Sequence, residues 1–261
     1  MLDLSIVILN YRTPDLLVDC LTALEQHPYT LGSSEIWVVD NASGDDTVAR
    51  VREHAPHVQM MVNDRNLGFA AGNNRGMARA DGRYIMLLNP DTRVHAGALD
   101  ELVQFMDATP GAGAAGAQLI DPDGEIQTSC RTFPNLLAVT IRGTPLYRWF
   151  DNHPSLRRYL MSDWDHESSR QVDWVLGACL IIRRQAWEAV GPLDEGFFMY
   201  YEDIDWCYRA QAKGWAIFYV PSARITHQHR RESARGLFNR LTLMHVKSII
   251  RLFRKHDLPW S

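Results

Sequence analysis

No stretch of the 261-residue sequence is apolar for long enough to cross a bilayer. The longest run, residues 174–182, is closed by Asp173 and Arg183 after nine residues, and a transmembrane helix needs about 20. Cysteine is scarce: Cys20, Cys130, Cys179 and Cys207 lie far apart with no Cys-x-x-Cys pair. That excludes the common zinc and redox motifs and predicts reduced core thiols. A G-x-G-x-x-G fingerprint is missing, so a nicotinamide or flavin enzyme loses its main support. The first five residues carry no basic region and no cleavage pattern, as expected of a soluble chain kept in the cytoplasm. Fixed-period repeats and low-complexity tracts are absent too. With 10% aromatics and a net charge of −4, extended disorder is also excluded.

The small net charge hides a split. Residues 222–261 hold nine Lys/Arg against Glu232 and Asp257, so this tail carries +7 and the remainder −11. Such a tail suits an anionic partner: phosphate, nucleic acid or a membrane surface. No recognised nucleic-acid module accompanies it, so nucleic acid is not expected as the partner. A helix is expected over 237–255, with Arg240, Lys247, Arg251 and Arg254 on one face and Phe238, Val246, Ile249 and Phe253 on the other.

The first hundred residues alternate short β-branched runs with helical patterns. Strands are expected at 4–9, 35–40, 58–62 and 84–88, with helices at 14–26, at about 45–53 and at 69–80. Repeated βα units imply a parallel sheet with right-handed crossovers. Further strands are read at 114–120, 125–128 after the Asp121-Pro122-Asp123-Gly124 turn, 176–182 and 216–220, where Pro221 is expected to end the last one. Helices are read at 184–190 and 203–212, and residues 130–170 as mostly loop and short helix.

Ligands of open parallel sheets sit beyond the carboxyl ends of the strands. There stand Asn10-Tyr11, Asp40-Asn41 and Asn89-Pro90-Asp91. An acid at position 40 can meet a nucleoside, or simply cap the turn through Ser43. Small residues in 66–74 can admit a phosphate to backbone N–H groups at a helix N-terminus, or simply allow tight helix-on-sheet packing. Asn89 and Asp91 can share a divalent cation, or form a type I turn. Glu202, Asp203 and Asp205 open a helix behind an aromatic run, 197–201. Acids there offset the helix dipole, and one with a raised pKa can serve as a general base. His227 and His229 follow, two apart, as metal ligands or surface imidazoles.

Taken in order, Val7-Ile8-Leu9-Asn10-Tyr11, Val38-Val39-Asp40-Asn41-Ala42-Ser43, residues 66–74, Leu87-Leu88-Asn89-Pro90-Asp91, Gly177-Ala178-Cys179 and residues 197–206 resemble the family-2 glycosyltransferases. The likeness is to their rhamnosyltransferase-like branch and spans about residues 4–256. It implies an α/β, GT-A fold: a Rossmann-like, mostly parallel sheet flanked by helices, with a smaller mixed acceptor-side sheet and a C-terminal amphipathic helix. A single domain is expected over 1–261, with a nucleotide-binding half (1–110), an acceptor and catalytic half (111–235) and a basic helix (236–261).

The resemblance implies an inverting transfer of a sugar, rhamnose by preference, from a dTDP- or UDP-sugar to a glycan or lipid-linked acceptor. Asp203 would be the base and Glu202 its neighbour that positions the acceptor. Asn10, Tyr11, Asp40, Asn66, Gly68, Phe69, Asn73, Asn89, Asp91 and Gly177 would line the donor. Asp40 would accept the N3–H of uracil or thymine, and Asp91 with His227 would hold Mg²⁺ or Mn²⁺. Asn89 departs from the general Asp-x-Asp pattern, as is usual in this branch. The basic tail offers a peripheral contact to the anionic inner face of the membrane. Two other readings stay open: a nucleotide-binding scaffold without catalysis, and a nucleotidyltransferase, which would need a basic loop where residues 10–15 offer only Arg12.

Overall fold

The computed structural model describes residues 2–144, 146–228 and 240–258. Its first half follows the βα alternation: β1 (Leu4–Asn10), α1 (Pro14–Gln26), β2 (Ser34–Asp40), α2 (Thr47–His54), β3 (Gln59–Val62), α3 (Phe69–Met77) and β4 (Tyr84–Leu88). Two elements go beyond the sequence reading, β5 (Thr92–Val94) and α4 (Ala98–Ala108), before β6 (Ala112–Ile120). Helix α4 buries Leu99, Leu102, Val103 and Met106 as one apolar stripe. Then come β7 (Cys130–Arg131), α5 (Leu136–Gly143), α6 (Tyr147–Phe150), α7 (Pro154–Leu160), β8 (Arg170–Val172), β9 (Trp174–Val175), β10 (Cys179–Arg183), α8 (Arg184–Val190), α9 (Glu202–Ala212), β11 (Ala216–His227) and α10 (Arg240–His256).

The large sheet runs β3-β2-β1-β4-β10-β6-β11-β5, with β8 on β11. Its β3-β2-β1-β4 core and the β6–β11 pair are parallel, and antiparallel elements complete it. The smaller sheet is the antiparallel pair of β7 and β9. Apolar side chains fill both faces: Leu17, Leu21, Leu102 and Met106 belong to one core cluster, Met77, Trp206 and Tyr219 to the other. Helix α3 lies close on the sheet because Gly72 and Gly76 leave room. A Cβ there would stand 2.5 Å from Leu9 Cδ1 and Val7 Cγ1 respectively. All four cysteines are free and buried, as expected.

Three strand expectations are corrected. Of the strand expected at 176–182 only β10 forms, from Cys179; Leu176-Gly177-Ala178 separate it from β9, because Gly177 turns its N–H to a side chain instead of a ladder. Residues 125–128 form only the single bridge Ile120↔Ile126. Pro221 does not end a strand: β11 continues to His227, and a register shift between Val220 and Arg224 absorbs the missing donor. On α10 the packed face holds Ser248, Leu252, Ile249 and Phe253, whereas Val246 is exposed. Phe238, His229 and the other tail residues of 229–239 lie outside the described residues. No described helix is long and apolar enough to cross a membrane.

Candidate active site

Strands β1, β2 and β4 end side by side, which brings Asn10, Asp40 and Asn89 to one edge. Asn10 pairs in register with Asp40. Its Nδ2 donates to Asp40 Oδ1 at 3.4 Å, Ser43 Oγ at 3.3 Å and Thr47 Oγ1 at 3.2 Å, while Ser43 N–H donates to Asp40 Oδ2 at 3.1 Å. Asp40 thus caps the turn, and is buried in doing so. Tyr11 beside it is exposed, with the Arg12 guanidinium 5.2 Å over its ring.

Asn41, noted in the sequence only as part of the strand end, has a role there that sequence reasoning missed. Fully buried, it donates to Asn66 Oδ1 and the Gly68 carbonyl and accepts from Asn63 Nδ2 and Leu67 N–H. This web and the Phe198 carbonyl take up three of the N–H groups of the 66–74 segment. The N–H groups of Leu67, Gly68 and Phe69 already donate to Asn41, to Asn66 and to the Phe198 carbonyl. Tight helix-on-sheet packing at Gly72 and Gly76 is the role the small residues show. Asn66 therefore acts as an internal acceptor, and Asn73, also buried, donates to the Phe69 carbonyl. Gly68 has φ +85, and a Cβ on it would fall 2.4 Å from the Phe198 carbonyl oxygen.

Asn89 and Asp91 are half-buried at the end of β4. His227 Nε2 lies 3.5 Å from Asp91 Oδ1, and Gln228 N–H donates to the Asp91 carbonyl at 2.8 Å. Gln127, 100 residues from His227, holds that ring: its Oε1 is 2.9 Å from Nδ1 and its Nε2 donates to the His227 carbonyl and to Asp121. A histidine oriented through its far nitrogen next to a partly open carboxylate is a donor pair that a first-row divalent metal ion accepts. Among the described residues no third Asp, Glu, His or Cys completes a cluster.

The acids of α9 are all buried, and each is treated differently. Asp203 Oδ2 accepts Gly177 N–H at 2.9 Å and Oδ1 accepts Ile204 N–H at 2.8 Å. Burial raises its pKa, against the pull of those two bonds and the Arg131 charge. Glu202 has a buried Oε2 without a partner among the described residues. Burial first, then the charges of Asp203 and Asp205, raise its pKa well above the ordinary range. Asp205 stands in the first turn of α9, as expected of a dipole-offsetting acid, and does more than that. Fully buried, it pairs with Arg209 at 2.8 Å, Lys255 at 2.6 Å and His256 at 2.7 Å, and so ties α9 to α10. Gly177, expected against the donor, gives its N–H to Asp203. The next residue's carbonyl, Ala178, accepts Asn89 N–H at 2.9 Å. The carboxylate of Asp203 and the Asn89-Pro90-Asp91 turn are therefore joined through two residues.

Just before this pair, Tyr200 and Tyr201 both take left-handed backbone, φ 70 and 71. That costs on the order of 1–2 kcal/mol each for an L-residue. Tyr201 is buried, and its hydroxyl lies 3.0 Å from His245 Nε2 of α10, so tertiary contacts hold the strained turn that aims Glu202 and Asp203. Of the basic face expected on α10, Arg251 is drawn to Asp194 at 2.9 Å, whereas Lys247 and Arg254 are exposed.

Residues 5–164 match the family described as glycosyl transferase family 2. Over 236 residues the sequence is 30% identical to N-acetylglucosaminyl-diphospho-decaprenol L-rhamnosyltransferase of Mycobacterium tuberculosis, covering 86% of this chain and 76% of that protein. It is 28% identical to rhamnosyltransferase WbbL of Escherichia coli over 200 residues, 73% of this chain and 72% of that one. The fold is similar to GalNAc-T7 crystallised with UDP, GalNAc and Mn²⁺: TM-score 0.72 at 17% identity, over 98% of this chain and 50% of that chain. It is also similar to the mannosyltransferase PcManGT from Pyrobaculum calidifontis in complex with GDP-Man and Mn²⁺: TM-score 0.66 at 18% identity, over 98% of this chain and 65% of that chain. The architecture is that of the GT-A glycosyltransferases.

Proposed function

Since the chain belongs to glycosyl transferase family 2, we propose that it moves a sugar, rhamnose in the first instance, from a dTDP- or UDP-sugar to a hydroxyl of a polysaccharide or lipid-linked acceptor. The transfer is a single displacement with inversion. The observation that carries this reading is the short link from Asp203 through Gly177 and Ala178 to Asn89. It sets a buried carboxylate beside the strand end where a donor diphosphate would lie. Asp203 takes the proton of the acceptor hydroxyl, whose oxygen attacks the anomeric carbon from the face opposite the diphosphate. The bond from that carbon to the diphosphate oxygen breaks, and the nucleoside diphosphate leaves with its electron pair. Burial supports the role, because an acid with a raised pKa is a stronger base near neutral pH. Glu202 positions the acceptor beside it.

Asp40 reads the nucleobase through the lone pairs left by Asn10 and Ser43. Its carboxylate accepts the N3–H of uracil or thymine, whereas cytosine presents an acceptor at N3. Asp91 and His227, with Gln127 fixing the imidazole, would hold Mg²⁺ or Mn²⁺. Such an ion, when bound, stabilises the charge of the departing diphosphate. On this reading, residues 1–110 carry the donor and 111–235 the acceptor and base.

A lipid-linked acceptor would bring the protein to the cytoplasmic face of an anionic membrane. Exposed large apolar residues support that contact. Trp149, 74% exposed, stands with Leu146, Tyr147 and Phe150, and Leu243, Val246 and Ile250 line the outer side of α10 beside Lys247. Aromatic and basic side chains together suit a lipid interface. Co-sedimentation with anionic vesicles at low salt tests it; no binding there removes the membrane contact.

The activity is tested with a panel of nucleotide sugars and Mn²⁺, scored for slow donor hydrolysis. Turnover of a dTDP- or UDP-sugar, abolished by EDTA, is the expected result. Hydrolysis confined to GDP- or CDP-sugars would remove Asp40 from its assigned role.

A further inference from the structure

A cavity of about 390 Å³ opens between the end of β7, the N-cap of α5 and helix α7, with Phe133, Asn135, Ser155, Arg158, Tyr159 and Asp173 among its walls. None of these residues belongs to the site described above. The frame is firmly built. Asp173 N–H donates to the Arg131 carbonyl at 3.2 Å, and the Asp173 carbonyl accepts Gln211 Nε2 of α9 at 2.7 Å. One carboxylate oxygen, Oδ2, accepts Phe133 N–H at 2.7 Å. The Phe133 ring in turn packs on Tyr208 of α9, with ring centres 4.9 Å apart. Asn135 Oδ1 caps α5 by accepting Ala138 N–H at 2.7 Å.

The groups left over face the opening. Among the described residues Asp173 Oδ1, Asn135 Nδ2, the Ser155 hydroxyl and the Arg158 guanidinium make no hydrogen bond, and none of these atoms is sealed from solvent. Arg158 and Asp173 form no ion pair with each other, so both keep their capacity for a ligand. One guanidinium and one carboxylate cancel in charge, which favours neither an anion nor a cation. Donors and acceptors set around the Phe133 and Tyr159 rings suit a neutral ligand rich in hydroxyls. Its O–H groups pair with carboxylate, amide and guanidinium, and its C–H surface lies on aromatic carbon. The volume is that of a small-molecule site, about 300–1,000 Å³. Two routes measure how far the cavity stands from the base. Asp173 precedes Gly177, whose N–H is bonded to Asp203, by four residues, at most about 14 Å of chain. Tyr208 and Gln211, which brace the cavity, follow Asp203 on α9 by five and eight residues, about 8–12 Å along the helix axis.

We propose that this cavity is a carbohydrate subsite that holds a neutral sugar unit of the acceptor, set back from the hydroxyl that Asp203 deprotonates. Asp173 and Arg158 grip its hydroxyls from opposite charges, and Phe133 and Tyr159 carry its ring. This rests on the glycosyltransferase reading above and adds to it a preference for acceptors longer than a single sugar.

The probes are the methyl glycosides of rhamnose, mannose, galactose, glucose and N-acetylglucosamine, titrated by ligand-observed NMR. At least one should bind the wild type. Arg158→Gln, at an exposed position, and Asp173→Asn, which keeps an oxygen for Phe133 N–H, should each weaken it roughly ten- to a hundredfold. Ser155→Phe, which fills the cavity from the first turn of α7, should abolish binding. Asp203→Asn should leave it unchanged, and dTDP or UDP binding with Mn²⁺ should be the same in all three cavity variants. Failure of every glycoside to bind the wild type, or equal affinity in Arg158→Gln and Ser155→Phe, overturns the subsite. Binding lost in Asp203→Asn but kept in the cavity variants places the sugar at the base instead and overturns it too. Donor hydrolysis judges the transferase reading separately. Hydrolysis without glycoside binding removes the subsite alone, whereas glycoside binding without hydrolysis of any nucleotide sugar overturns its acceptor role.

Discussion

Replacing Asp203 by Asn tests the base assignment and leaves the surroundings nearly intact. The carboxylate accepts two backbone donors, Gly177 N–H on one oxygen and Ile204 N–H on the other. An amide has a single oxygen, so one of these N–H groups will face an NH₂. A buried donor left without an acceptor costs about 1–3 kcal/mol. Against that, the variant no longer buries an ionisable group whose charged form is disfavoured there. The two effects oppose each other, so the melting temperature should move little. Turnover should not be spared: a positioned base is worth roughly 10²–10⁴, or about 3–5 kcal/mol of barrier. The assay is initial rate at saturating donor across pH. In the wild type the rate should fall as pH drops through the raised Asp203 pKa, since only the carboxylate form accepts a proton. In the variant that acid limb should vanish. A variant that keeps turnover within tenfold, with its acid limb intact, would refute the assignment.

Four further outcomes follow from the same geometry. Glu202→Gln should stabilise the protein at neutral pH: a raised folded pKa means stability is fullest below the ordinary Glu range and is lost as pH rises toward the folded value. Melting curves from acid to neutral pH should show that slope in wild type and a flatter one in the variant; parallel curves would contradict it. Asp205→Asn should cost roughly 3 kcal/mol of stability, as expected when a buried ion-pair centre is neutralised, with turnover of the folded fraction little changed; an unaltered melting temperature would show that α10 needs no such tie. Gly68→Ala, forced into φ +85 and onto the Phe198 carbonyl, should cost about 3 kcal/mol or more by chemical denaturation; a loss under 1 kcal/mol would mean that the two loops are not in fixed contact. Asp91→Ala and His227→Ala should each weaken Mn²⁺-dependent dTDP or UDP binding by calorimetry with the melting temperature preserved, and wild-type affinity indifferent to EDTA would oppose the metal assignment.

The first half of the fold was legible because its signals are local. Apolar runs such as Ile6-Val7-Ile8 and Ile85-Met86-Leu87 are bounded by turn residues, and they became β1 and β4. Gly177 misled because an apolar run cannot reveal that one N–H is spoken for by a side chain 26 residues on. Pro221 misled because a register shift in β11 hides its missing donor. Asp40, Asp91 and Asp203 could be singled out from strand ends and a helix start. Their supporting residues could not: Gln127 meets His227 across 100 residues, and Asn41 meets Asn63 and Asn66 in a web that no spacing announces. The basic face of α10 was legible as charge. Its division between Asp194 and solvent depends on a partner strand of sequence far away.

The contact of Phe198 with Gly68 limits how such a chain can be recombined. The Phe198 carbonyl caps the first N–H of α3, and five residues later the same segment delivers Asp203. The segment around Gly68 and the one that aims the carboxylate therefore share a joint, although 130 positions separate Gly68 from Phe198. A hybrid made by cutting near residue 110, with each half from a different parent, would inherit the two sides of that joint from sequences never fitted to one another. The Phe198 ring covers Gly68 as its carbonyl caps the helix, so both parts of the contact close on the same bare backbone. What has to come across intact is the absence of a side chain at position 68.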